Sequence, residues 1–160
     1  MNTQVTIAGV TLKNPVMTGS GTFGSGMEYG EFVDLNQLGA VVTKGVANVP
    51  WPGNPTPRVT EVYGGMLNAI GLQNPGIDVF MQRDIPFLKQ YDTKIIVNVC
   101  GKTVEDYVDV VEKLGDEPSV AMLEINNDAF DTHAYVDSLV RMKDEKYYRY
   151  SQEYQQKYHL

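Results

Sequence analysis

The sequence predicts an α/β fold with a parallel sheet, and three observations lead there. Short apolar runs, most of them rich in β-branched residues, recur at 15–17, 39–43, 94–99 and 119–125. Between them lie segments whose apolar residues fall at helical spacing, which marks amphipathic helices rather than further strands. Two of those segments begin with capping residues, Asn74 and Thr103, and reach a helix breaker at Pro86 or Gly115. Strands alternating with helices need crossovers, and right-handed crossovers lay successive strands parallel.

Residues 5–12 read as a hairpin, with Val5 and Ile7 on one arm, Val10 and Leu12 on the other, and a turn near Ala8-Gly9. The run 15–17 predicts a short strand entering the small-residue turn Gly19-Ser20-Gly21, whose backbone N–H groups are available to an anionic or amide-rich ligand. Residues 28–38 suit a helix with Tyr29, Phe32, Val33 and Leu35 near one face. Residues 39–43 form a buried strand, and Lys44 ends it. A lysine there reads either as a solvated strand end or as a group at the face where barrel active sites lie. Residues 50–57 hold four prolines and Trp51, which predicts an extended surface loop.

The stretch 64–76 reads as neither a strand nor a helix. Gly64, Gly65, Gly71 and Gly76 break it, while Met66, Leu67, Ile70 and Leu72 are apolar and Asn68 offers both a donor and an acceptor. Such a loop is either a plain connection or the wall of a pocket for a small, polar, planar ligand. Asn74-Pro75 then opens a helix that Pro86 should end or bend. Residues 94–99 are a third buried strand, with Asn98 an unusual amide inside it that needs a hydrogen-bond partner. Thr103 and Asp106 form a capping box for a helix that Gly115 stops. Residues 119–125 are a fourth strand, with Asn126 at its end.

The 160 residues carry a net charge of −7, which argues against a nucleic-acid partner. A single cysteine, Cys100, excludes an internal disulfide framework and fits a reducing compartment. No apolar run approaches a membrane span, and the expected location is the cytoplasm. His133 and His159 lack metal-ligand spacing, so no metal site is predicted.

Several segments resemble, in order, the motifs of the dihydroorotate dehydrogenases, flavin enzymes of pyrimidine synthesis. They are Asn14-Pro15-Val16-Met17-Thr18-Gly19-Ser20-Gly21-Thr22-Phe23-Gly24, Val42-Thr43-Lys44-Gly45, Gly53-Asn54-Pro55-Thr56-Pro57-Arg58, the 64–76 loop and Ile96-Val97-Asn98-Val99. The resemblance covers about residues 4–126 and is to the soluble, NAD-linked class. It implies a TIM-type (β/α) barrel, which needs about 250 residues when complete. The expectation is therefore a half-barrel over residues 1–126, its hairpin closing the barrel bottom, with a divergent helical tail over 127–160. It also implies flavin mononucleotide (FMN) as cofactor and oxidation of dihydroorotate to orotate. Carried over by motif, Lys44, Asn68, Ala69, Ile70, Gly71, Leu72 and Asn126 would hold substrate. Ser20, Lys44, Gly45, Asn98 and Asn126 would hold FMN.

The resemblance breaks after the fourth strand. The family carries Asn-Ile-Ser-Cys-Pro-Asn there, and its cysteine is the catalytic base; this chain has Asn126-Asn127-Asp128-Ala129-Phe130-Asp131. Ala129 cannot move a proton, so no catalytic base is assigned. Cys100, two residues beyond Asn98 and on the same strand face, reads either as packing or as a replacement base. In the tail, Tyr135, Leu139, Met142, Tyr147, Tyr150, Tyr154 and Tyr158 recur at helical steps and form a tyrosine-rich stripe. The leading expectation is a truncated dihydroorotate dehydrogenase. The alternative is a catalytically inactive fragment, or an interaction protein using that stripe. Partners implied are dihydroorotate and an electron-transfer flavoprotein subunit. Because crossover helices cover only one face of a half-barrel, the other face, with Val16, Val42 and Ile96, is expected to be wet and to drive homo-oligomer formation.

Overall fold

The computed structural model describes residues 2–115 and 117–126. Its centre is a parallel three-stranded sheet in the order β3 (Ala40–Val42), β6 (Lys94–Val99), β7 (Val120–Ile125). Ala40 pairs with Lys94 and Val42 with Ile96, while Ile96 pairs with Met122 and Asn98 with Glu124. The predicted α/β fold and the strand order 42, 96, 122 therefore hold.

Alternation along β6 feeds two separate cores. Ile95, Val97 and Val99 join Phe80, Leu88, Tyr107 and Val110 on the helical side. Ile96 turns to the other side, where it meets Leu12, Ala40 and Val42. That second core corrects the expectation of a wet open face. The hairpin of β1 (Val5–Ile7) and β2 (Val10–Leu12) folds across it, pairing antiparallel with Ile7 opposite Val10. Leu12 is fully buried, and Val5 and Val10 pack beside it. Lys13 fastens the hairpin by donating to the Asp92 backbone carbonyl and pairing with the Asp92 carboxylate at 3.2 Å. Val16 stays exposed, so the face is covered at the hairpin end only.

The strand expected at 15–17 shrinks to one parallel bridge, between Met17 and Ala40. Side chains take over the ladder. Asn14 Oδ1 accepts from Val16 N and from Gly39 N, each at 3.0 Å. Thr18 Oγ1 accepts from Val42 N at 2.8 Å and donates to Val42 O at 3.0 Å. Local side-chain bonds of this kind compete with regular pairing.

Residues 28–38 are not one helix but two 3₁₀ turns, Tyr29–Glu31 and Leu35–Gln37. Asp34 divides them: its backbone is extended (φ −72°, ψ 105°), and its side chain caps the second turn at Asn36 N. Leu35 is buried whereas Phe32 is 82% exposed, so the expected common face does not form.

The 64–76 stretch, read as neither a clean strand nor a clean helix, starts as a strand. β4 (Val59–Val62) and β5 (Gly65–Asn68) form an antiparallel hairpin with Tyr63-Gly64 at its tip. All eight strand residues are exposed. With neither face buried, no apolar alternation marked the hairpin in the sequence.

Pro86 does not end its helix. α1 (Ile77–Val79) runs into a π-helical turn (Phe80–Asp84) and then into α2 (Ile85–Leu88), with proline in the first turn of α2. The Ile85 N–H reaches back five residues to Phe80 O. The wider turn accommodates a residue that has no N–H to donate. α3 (Val104–Leu114) keeps the predicted capping box, with Asp106 N donating to Thr103 Oγ1 and Thr103 N to Asp106 Oδ2, and reaches its C-cap at Gly115. Among the described residues no helix is long and apolar enough to cross a membrane. The Tyr-rich stripe, Ala129, His133 and His159 lie outside the described residues.

Leu12→Ala removes the central side chain of the hairpin-side core and is expected to lower the unfolding free energy by about 2–5 kcal/mol. Thr103→Ala removes only a cap and is expected to cost about 1 kcal/mol. Urea unfolding of the two variants beside the wild-type chain checks both values and their order.

Candidate active site at the carboxyl ends of the strands

In a parallel sheet with crossover helices, ligand sites lie beyond the carboxyl ends of the strands. Three connections meet there. The turn after residue 18 brings Ser20, the exit of β3 brings Lys44 and Gly45, and the last residues of β6 and β7 bring Asn98 and Glu124. Backbone bonds continue the ladder past the strands: Thr43 N to Ile96 O at 2.9 Å, Val46 N to Asn98 O at 2.8 Å and Asn126 N to Val99 O at 2.9 Å. Lys44 N is tied to Gly24 O at 2.9 Å, which holds the Ser20 turn against the β3 exit.

Asn98 is the centre of this cluster. It shares the strand face of Ile96, one step beyond the apolar core, and is 3% exposed. Its Nδ2 donates to Glu124 Oε1 at 2.7 Å, and Ser20 Oγ donates to the same oxygen at 3.2 Å. Its Oδ1 is buried and has no hydrogen-bond partner. Beside that oxygen lies Gly45. A Cβ on Gly45 would sit 3.0 Å from Asn98 Oδ1, 3.3 Å from Cys100 Sγ and 3.3 Å from Leu72 Cδ1. Glycine at 45 therefore lets these three groups approach the backbone more closely than a side chain would allow.

The structure brings Ser20, Gly45, Leu72 and Asn98 together. Lys44 lies near enough to Cys100 for its charge to act on the thiol. The rest of the 68–72 segment is tied to the 54–58 loop. Ala69 N donates to Arg58 O at 2.8 Å, Asn54 Nδ2 donates to Ala69 O at 2.8 Å, and Asn54 N donates to Ile70 O at 2.9 Å. Asn68 is exposed on β5. Asn126 follows β7, and its carbonyl accepts from the Tyr107 hydroxyl. Sequence reasoning missed Glu124. The signal was present, since an acidic residue interrupts an apolar strand at the parity of Met122 and Asn126.

Cys100 is buried, and burial pushes its thiol up to about 12, against the pull of the Lys44 charge. A thiol that stays protonated at neutral pH is a poor base, which favours packing over the alternative reading of Cys100 as a base.

A family model for dihydroorotate dehydrogenase matches residues 2–144. The chain belongs to the dihydroorotate dehydrogenase family. Curated relatives agree with that assignment. The chain is 73% identical over 126 residues to the catalytic subunit of dihydroorotate dehydrogenase B (NAD(+)) from Lachnoclostridium phytofermentans, covering 79% of this chain and 42% of the relative. It is 71% identical over 126 residues to the same subunit from Alkaliphilus metalliredigens, covering 79% of this chain and 41% of the relative. The chain thus spans about two fifths of the length of these relatives. A crystal structure of DHODH from Eimeria tenella in complex with ferulenol superposes with a TM-score of 0.62 at 20% identity, over 88% of this chain and 42% of that one. That likeness supports the fold, a partial (β/α) barrel.

A flavin ring system carries carbonyl acceptors and N–H donors. The residues present fit such a group: an unpaired buried acceptor on Asn98, a glycine at 45 beside it where a side chain would crowd that acceptor, a hydroxyl on Ser20 and an ammonium on Lys44.

Alkylation of Cys100 by iodoacetamide at pH 8 is expected to run at least about a hundredfold slower in the folded chain than in denaturant, because only the thiolate reacts. The folded rate should keep rising with pH well beyond 9, where an unfolded thiol has already levelled off. Mass spectrometry of quenched samples reads both rates.

Proposed function

We propose that this chain carries the first half of the flavin- and dihydroorotate-binding machinery of a dihydroorotate dehydrogenase. The observation that supports it is the Asn98–Gly45 pair, an orphaned buried acceptor beside a glycine at the ligand end of a parallel sheet. Ser20, Gly45 and Asn98 hold the edge of FMN, with Asn126 beside them. The Lys44 ammonium serves both ligands: it offers a donor to the cofactor and charge to the carboxylate of dihydroorotate. The 68–72 segment forms the substrate wall, with the amide of Asn68 as its polar group and Leu72 excluding water near Gly45. Bound there, FMN would supply the acceptor for the hydride lost in dihydroorotate oxidation. By likeness to the NAD(+)-linked catalytic subunits, the chain works with a second, electron-transferring flavoprotein subunit, in a cytoplasmic setting.

The proton is the weak point of the chain's chemistry. Ala129 stands at the family's cysteine position, and the Cys100 thiol is held protonated. Without a positioned base, oxidation is expected to be slower by about 10²–10⁴ than with one. This also gives weight to the second reading, in which the half-barrel binds ligand without turning it over.

The test is a pair of measurements on the full 160-residue chain. Titration with FMN, followed by flavin fluorescence, is expected to show saturable binding that Lys44→Ala weakens. Orotate formation from dihydroorotate with an artificial acceptor is expected to stay below the ordinary enzyme range of roughly 1–10³ per second. Absence of FMN binding overturns the cofactor reading, and turnover within the ordinary range overturns the account of Ala129.

A further inference from the structure

Asn98 can be built with its amide in either of two orientations, and the choice decides which ligand atoms it recognises. With the oxygen turned to the space beside Gly45 it accepts, and the ligand must bring an N–H or O–H. With the nitrogen turned there it donates, and the ligand must bring a lone pair. The neighbour on the other side settles the choice. An ionised carboxylate only accepts, so a carboxylate oxygen 2.7 Å from the Asn98 amide requires the nitrogen to face it. The oxygen is then left buried on the side of Gly45, Cys100 and Leu72 with no partner.

We propose that Glu124 is a positioning residue, locking the Asn98 amide so that it presents an acceptor, and not a donor, to the N–H edge of the bound flavin. The inference rests on the FMN reading given above and deepens it. Glu124 need not touch the ligand. Its Oε1 also accepts from Ser20 Oγ at 3.2 Å, so one carboxylate sets the Asn98 amide and anchors the turn that carries Ser20. The alternating register places it for this. Asn98 and Glu124 are direct partners in the β6–β7 ladder, so their side chains leave the same face side by side. A charge-assisted bond of this kind is stronger than a neutral one and holds the amide against the loss of pairing at Oδ1.

Glu124→Gln removes the discrimination, because a Gln amide can donate or accept, and Asn98 is then free to turn over. Asn98→Asp in the wild-type background sets two carboxylates against each other. The double variant Asn98→Asp with Glu124→Gln restores the arrangement with the charges exchanged. The Gln amide donates to the Asp, whose second oxygen remains an acceptor toward the ligand. FMN titration of the full chain is expected to show roughly tenfold weaker binding for each single variant and recovery to within about threefold in the double variant. Recovery also demonstrates that the fold survives both changes, which the urea midpoint of each variant checks independently. A Glu124→Gln chain that binds FMN as the wild type does, or a double variant no better than the singles, overturns the proposal.

A second readout needs no cofactor. In the free chain, hydrogen exchange of the Asn98 side-chain amide, followed by NMR, is expected to be at least tenfold slower in the wild type than in Glu124→Ala. Equal rates overturn the lock. If the wild-type chain fails to bind FMN while this difference is seen, the cofactor reading falls and the lock on Asn98 stands.

Discussion

The rest of the structure depends on β6 being buried on both faces. From Ile95 to Cys100 every residue of this segment is out of solvent, although the described residues supply helices for one side only. The constraint is met by two different covers. The helices of residues 77–88 and 104–114 pack on the odd-numbered side chains. The N-terminal hairpin packs on Ile96 through Leu12. Strand parity turns one sequence into two faces, and a slip of one residue would exchange them and send Asn98 into the helical core.

The site is a consequence of that constraint. The hairpin covers only the beginning of the inner face, around Ala40, Val42 and Ile96. One step further along β6 the apolar cover stops, and the residue there is an amide. Neighbouring strands bring groups to Asn98, Gly45 from the exit of β3 and Glu124 from near the end of β7, and Leu72 lies beside Gly45. An acceptor buried without a partner costs about 1–3 kcal/mol. That cost falls where three connections converge beside the buried Gly45, so it calls for an explanation other than packing.

Legibility in the sequence followed the physics of each segment. β6, β7 and α3 were readable because burial imposed a pattern on their side chains and because Thr103 and Asp106 form a local cap. The hairpin of β4 and β5 left no such trace, since both its faces are exposed. Residues 28–38 have a helical spacing of apolar residues, yet Asp34 finds its partner in Asn36 and breaks the helix there. Pro86 reads as ending or bending its helix, and the sequence does not show that a π-turn can absorb its missing donor. For the site, family motifs pointed to Ser20, Gly45, Leu72 and Asn98, which the fold places near one another. They were silent on Glu124, whose part depends on cross-strand register, a property of two segments that no single motif contains.

The central claim is that the ligand end of this sheet, around Asn98, is where flavin binds. Backbone amide shifts of the isotope-labelled full chain, recorded while FMN is added, test it most directly. Flavin bound at this end should shift Ser20, Lys44, Gly45, Asn98 and Glu124 and leave Thr6 and Thr11 of the N-terminal hairpin unmoved. Shifts centred on that hairpin, or on the exposed β4–β5 tip at Tyr63, with the Asn98 cluster unmoved, would contradict it.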